Sequence, residues 1–166
     1  GENKKAENVL KSSIDKYKDE FTFKELLANL YYKMNIKELA LPLLESLFNS
    51  QNFIMKENNF VILAKLYFEK KCFSEAKKVL AIGVDKFPNS LKILQLYASQ
   101  MFSLKEWKSA LQLLIYICNK FAYEHSSWKL KIKLQIFMGH EYDAKKNLIQ
   151  IKNSFKDIDN ANLFCY

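Results

Sequence analysis

The chain contains no arginine: all of its 26 basic residues are lysine. Arginine is the usual bidentate reader of guanine and the usual fork-shaped phosphate clamp. A net charge of +8 built from lysine alone therefore argues against sequence-specific DNA recognition. Glycine and proline are also scarce, at 3 and 2 of 166 residues. Strand-and-turn architectures use those residues as punctuation, so their scarcity points to long helices. The three glycines, Gly1, Gly83 and Gly139, are too scattered for a phosphate-cradling loop. The two histidines, His125 and His140, have no Cys or second His at metal-ligand spacing and read as surface polar residues. The three cysteines, Cys72, Cys118 and Cys165, lie 46 and 47 apart. With no apolar leader in "GENKKAENVL" they read as free thiols in a reducing compartment, cytoplasmic or nuclear. No apolar run approaches the length of about 18 residues that a membrane span needs. The sequence thus offers no catalytic constellation, no metal site and no cofactor motif.

What the chain does contain is apolar residues, 49% of the total with 14% aromatic, arranged at helical spacing. In "NNFVILAKLYFEKK" they fall at Phe60, Leu63, Ala64 and Tyr67. A turn at "KKCF" leads to a second stripe of Ala76, Val79, Leu80 and Gly83, and Pro88 follows, where a helix cannot continue. This is an antiparallel helix hairpin. Ala64 and Ala76 are small where the two helices come closest, because interaxial distance is set by the side chains at the contact. The second alanine recurs: Ala6, Ala40, Ala76, Ala110 and Ala144 are spaced by 34, 36, 34 and 34 residues. The one spacing of 36 places two extra residues in the loop near "NSQNFIMKENN".

The stretch resembles a tetratricopeptide repeat (TPR), whose pattern is W-x2-L-G-x2-Y, then A-x3-F, then P. Phe60 stands for the tryptophan, while Leu63, Tyr67, Ala76 and Pro88 match directly. The upstream unit matches at Leu27, Ala28, Tyr31 and Ala40, and the following one at Leu94, Ala98 and Ala110. In the last unit Trp128 and Ala144 match, but Lys131 and Gln135 replace the leucine and tyrosine. Half-a-TPR repeats share the geometry and are the close alternative. The resemblance implies an all-α, right-handed superhelical array of about nine helices. It forms a single array over residues 1–166: 1–20 the second helix of an incomplete repeat, then repeats at 21–56, 57–90, 91–124 and 125–158, then the start of a further helix at 159–166.

Such stacks present an extended surface, so the resemblance implies a non-catalytic scaffold that binds a protein or peptide along its first helices. The faces opposite the packing stripes would carry Glu25, Asn29 and Tyr32; Val61, Lys65 and Phe68; Gln95, Ser99 and Phe102; and Lys129, Lys133 and Ile136. Tyr32, Phe68, Phe102 and Ile136 occupy one register and form either an apolar track for a ligand or packing against neighbouring first helices. Lys65, Lys129 and Lys133 would favour an apolar-acidic partner, or are simply solvated. Chaperone C-terminal tails are poor candidates. The family's carboxylate clamp uses Lys and Asn, then Asn, then Lys and Arg; here those places hold Glu25 and Asn29, Ile62, and Lys92 and Leu96. The alternative partner is RNA, contacted non-specifically by lysines. In "WKLKIKLQ", however, Lys131 points away from Lys129 and Lys133. Val9, Leu10 and Ile14 give the first helix an apolar stripe with nothing before it. Together with the apolar "LFCY" end, this leads to the expectation that the native chain continues, or that the molecule self-associates through an uncovered end.

Overall fold

The computed structural model describes residues 1–17 and 21–154, so the expected further helix at 159–166 and Cys165 lie outside the described residues. Those residues form nine α-helices and no strand. They divide into two compact units, Gly1–Pro88 and Asn89 onward.

The first unit holds α1 (Glu2–Lys16), α2 (Phe21–Lys33), α3 (Lys37–Phe48), α4 (Glu57–Glu69) and α5 (Phe73–Lys86). α2 with α3 and α4 with α5 are hairpins; α1 packs on α2, and α3 on α4. The small residues sit at the helix crossings as expected: Ala28, Ala40, Ala64 and Ala76 are all at most 1% exposed. Phe60 is fully buried between Phe48 and Phe87, edge-on to both at 5.9 and 5.8 Å, a favourable geometry for aromatic rings. α1 differs from the stripe expected of it. Glu7, Leu10 and Ile14 are half-buried, while Val9 is exposed. Glu7 accepts a hydrogen bond from the Tyr31 hydroxyl at 2.9 Å and pairs with Lys11 at 2.7 Å. A polar contact, rather than Val9, therefore helps seat α1 on α2.

The second unit holds α6 (Leu91–Ser103), α7 (Trp107–Lys120), α8 (His125–Phe137) and α9 (Glu141–Ser154). α6 with α7 and α8 with α9 are hairpins, and α7 packs on α8. Ser90 caps α6 by accepting the Ile93 amide at 3.2 Å, and Glu124 caps α8 through the Ser126 amide at 3.1 Å; both satisfy donors that a helix start leaves orphaned. Cys118, Trp128, Ile132, Ala144 and Ile151 form one buried cluster. Burial there raises the Cys118 thiol to about 11, so it behaves as an apolar filler. Lys131 and Gln135, the two departures from the repeat pattern, are buried too. Asn147 of α9 compensates both: it accepts from Lys131 Nζ at 3.2 Å and donates to Gln135 Oε1 at 2.7 Å. The ammonium also lies 4.3 Å from the centroid of the Trp128 ring. Desolvation holds its pKa below the usual lysine range.

All four hairpin turns are built alike. Asn35, Lys71, Lys105 and Gly139 take the left-handed conformation, with φ of 59°, 60°, 61° and 78°. Each donates its amide three residues back, to Tyr32, Phe68, Phe102 and Ile136, at 3.0 Å in every case. The next amide reaches five back, to Tyr31, Tyr67, Met101 and Gln135, at 2.8–2.9 Å. This is the Schellman closure, which satisfies the last carbonyls of a helix. Its fixed place, five residues before the recurrent alanine, keeps each hairpin in register even where a lysine must adopt a conformation that glycine prefers.

Candidate interaction surface on the first helices

The Schellman turns fix where the expected ladder residues sit. Tyr32 and Phe68 in the first unit, and Phe102 and Ile136 in the second, all occupy the last turn of a first helix, their carbonyls held by the turn. Tyr32, Phe68 and Phe102 are half-buried, and Ile136 is exposed. Phe68 rests edge-on against Phe73 at the start of α5, with centroids 5.4 Å apart. Beside these residues Lys65, Ser99 and Lys133 are exposed, while Asn29 and Lys129 are half-buried. Asn29 turns its amide back onto the Glu25 carbonyl at 2.9 Å.

Glu25 and Val61 do not belong to the exposed face, which corrects the expectation drawn from periodicity. Val61 is buried, and Glu25 is only 2% exposed. The Glu25 carboxylate accepts from Asn59 Nδ2 at 2.5 Å and from Lys56 Nζ at 2.6 Å, both at the start of the next first helix. Gln95 occupies the same register in the second unit, 15 residues before its alanine as Glu25 is before Ala40. It is half-buried and donates to Ser126 Oγ at 3.0 Å and Ser127 Oγ at 3.1 Å. Ser126 in turn donates to Glu124, and these hydrogen bonds lower the Glu124 pKa. At this register α2 and α6 each face the next first helix of their own unit rather than solvent, so the polar group there serves as a staple. Lys131 also leaves the apparent basic run, as its alternation with Lys129 and Lys133 foretold, because it points into the core.

Among the described residues, no group of three or more His, Cys, Asp or Glu side chains could hold a metal ion, and no helix is long and apolar enough to cross a membrane. No family model matches the chain, and no curated protein does. Solved structures do. YrrB, a TPR protein with an unusual peptide-binding site, superposes with a TM-score of 0.78 over 95% of this chain and 80% of its own, at 11% identity. MamA gives a TM-score of 0.75 over 90% and 89% of the two chains at 12% identity. PilF of Pseudomonas aeruginosa gives 0.68 over 89% and 67% at 14% identity. The chain therefore has a TPR-type fold, an all-α helical-repeat solenoid.

Proposed function

We propose that this protein is a non-catalytic interaction scaffold that binds a segment of another protein along the exposed faces of its first helices. The observation that carries this reading is the recurrent apolar side chain in the last turn of each first helix. Tyr32 and Phe68 serve the first unit, and Phe102 and Ile136 the second, each left at least partly open beside polar and cationic neighbours. Asn29, Lys65, Ser99, Lys129 and Lys133 complete the contact set, and the lysines favour an apolar segment that carries acidic residues. Gln95 contributes by aligning α6 with α8. Fold likeness adds a further argument, since YrrB binds peptide on such a scaffold. The RNA alternative is weaker, because burial of Lys131 removes the central cation of the only dense lysine run.

The test is affinity capture with the intact chain, followed by titration of the captured partner. Phe68→Ala with Phe102→Ala should weaken that binding by at least about tenfold, because truncating a central interface aromatic costs about 2 kcal/mol or more, while helical circular dichroism stays unchanged. Full-strength binding by the double variant would overturn the assignment of this face.

A further inference from the structure

A second surface feature lies in the first unit, away from the first-helix ladder. The end of α3, the loop with the two extra residues and the middle of α5 enclose a cleft of about 350 Å³. Its walls are mixed: the apolar side chains of Leu47, Phe48, Phe53, Met55 and Ile82 surround the buried ring of Phe60, and polar Asn49 joins them. Two cations complete the lining, Lys78 and Lys86, and no carboxylate among the described residues does. Both lysines are exposed, and neither enters an ion pair among the described residues. Lys86 holds its ammonium 5.9 Å from the Phe60 centroid.

Lys78, Ile82 and Lys86 are spaced by four along α5, so they lie along one face with the apolar residue in the middle. Eight residues of helix put the two lysine positions about 12 Å apart. In an extended peptide, residues i−2, i and i+2 project to one side, and the outer two stand about 13 Å apart at 3.3 Å per residue. The match fixes the ligand pattern. We infer that this cleft binds an extended segment of a partner protein in which one bulky apolar residue is flanked, two positions away on each side, by Asp or Glu. The apolar side chain enters against Phe60, and the two carboxylates meet Lys78 and Lys86. A cleft at the small end of the range for ligand pockets, about 300–1,000 Å³, accepts one such side chain and excludes a whole helix. Two cations so far apart on one helix suit two carboxylates better than a single anionic head group.

The probe is a labelled peptide, acetyl-Glu-Ser-Phe-Ser-Glu-amide, titrated into the intact chain and followed by fluorescence anisotropy and by amide chemical shifts. Binding should shift Phe53, Met55 and Ile82. It should fall about tenfold when Lys78→Gln and Lys86→Gln are combined, as it should when the peptide's two Glu are replaced by Gln, each exposed charge contributing a factor of a few. Replacing the peptide's Phe by Ala should abolish it. Exposed lysines can be changed without threatening the fold, and an unchanged melting curve verifies this. Equal affinity for the Gln-containing peptide, shifts at Tyr32 and Phe68 in place of the cleft, or no binding at millimolar peptide would each overturn the inference.

Discussion

The two units use the same registers with opposite chemistry. In the first, successive first helices are stapled by a buried carboxylate, Glu25, with Asn59 and Lys56. In the second, the equivalent staple is a neutral amide, Gln95, with Ser126 and Ser127. A second seam repeats the contrast. Lys37 at the start of α3 pairs with Glu69 at the end of α4 at 2.8 Å, whereas Trp107 at the start of α7 stacks edge-on with Phe137 at the end of α8, centroids 4.6 Å apart. A third register is reversed: Leu66 is buried in the first unit, and Gln100, ten residues before its alanine as Leu66 is before Ala76, is buried in the second. Repeat geometry decides which positions meet; it leaves open whether charge, amide or ring makes the contact.

The staple gives the largest test. Glu25→Ala would leave Asn59 buried without its acceptor, and a hydrogen bond to a charged group contributes about 1.5–3 kcal/mol. Thermal or urea unfolding should register a loss of about 2–3 kcal/mol, against about 1 kcal/mol for Gln95→Ala, whose hydrogen bonds join neutral groups and whose partner Ser126 is exposed. Equal losses would mean that the carboxylate adds nothing beyond the amide.

Gln100 should shift stability the other way. Among the described residues, neither its side-chain oxygen nor its nitrogen has a hydrogen-bond partner, and burying an unsatisfied amide costs about 1–3 kcal/mol. Gln100→Leu, which restores the first unit's chemistry at this register, should raise stability by about 1–2 kcal/mol in urea denaturation. A loss would show that the amide is held by a partner, such as a bound water.

The seam pairs include the smallest effect. Trp107→Ala should cost about 1–2 kcal/mol through lost ring contact and burial. Lys37→Ala should leave the melting temperature unchanged at moderate salt, since its ion pair is solvent-exposed. A salt-sensitive drop for Lys37→Ala larger than the Trp107 effect would reverse the comparison.

Much of the fold was legible because it is local and periodic. Helical spacing, the recurrent alanine and the placement of Trp128 all follow from side-chain size along one helix face, and the alanines are buried where closest approach requires them. Periodicity also marked Glu25 and Val61 as outward-facing, and there it failed. A single helix has one inner and one outer face, but a helix in a stack also has flanks, and Glu25 lies on a flank. Its partners Lys56 and Asn59 are 31 and 34 residues away; nothing in the local sequence announces them. Pro42 makes a related point. Pro88 follows α5, as a proline after a helix should, yet Pro42 lies inside α3. Pro42 and Glu38, whose carbonyl loses an amide donor, are both exposed, so water can take the place of the missing hydrogen bond.

The sequence by itself determined the helices, their pairing into hairpins and the residues at each crossing, because these depend on contacts between near neighbours at a fixed period. Only the tertiary structure decided which polar groups are spent as staples, that Lys131 and Gln135 are buried against Asn147, and that the extra loop residues help enclose a cleft beside Lys78 and Lys86. Those outcomes depend on how one helix meets another, within a hairpin or between hairpins, and that meeting brings together residues from separate helices that no periodic pattern along a single helix records.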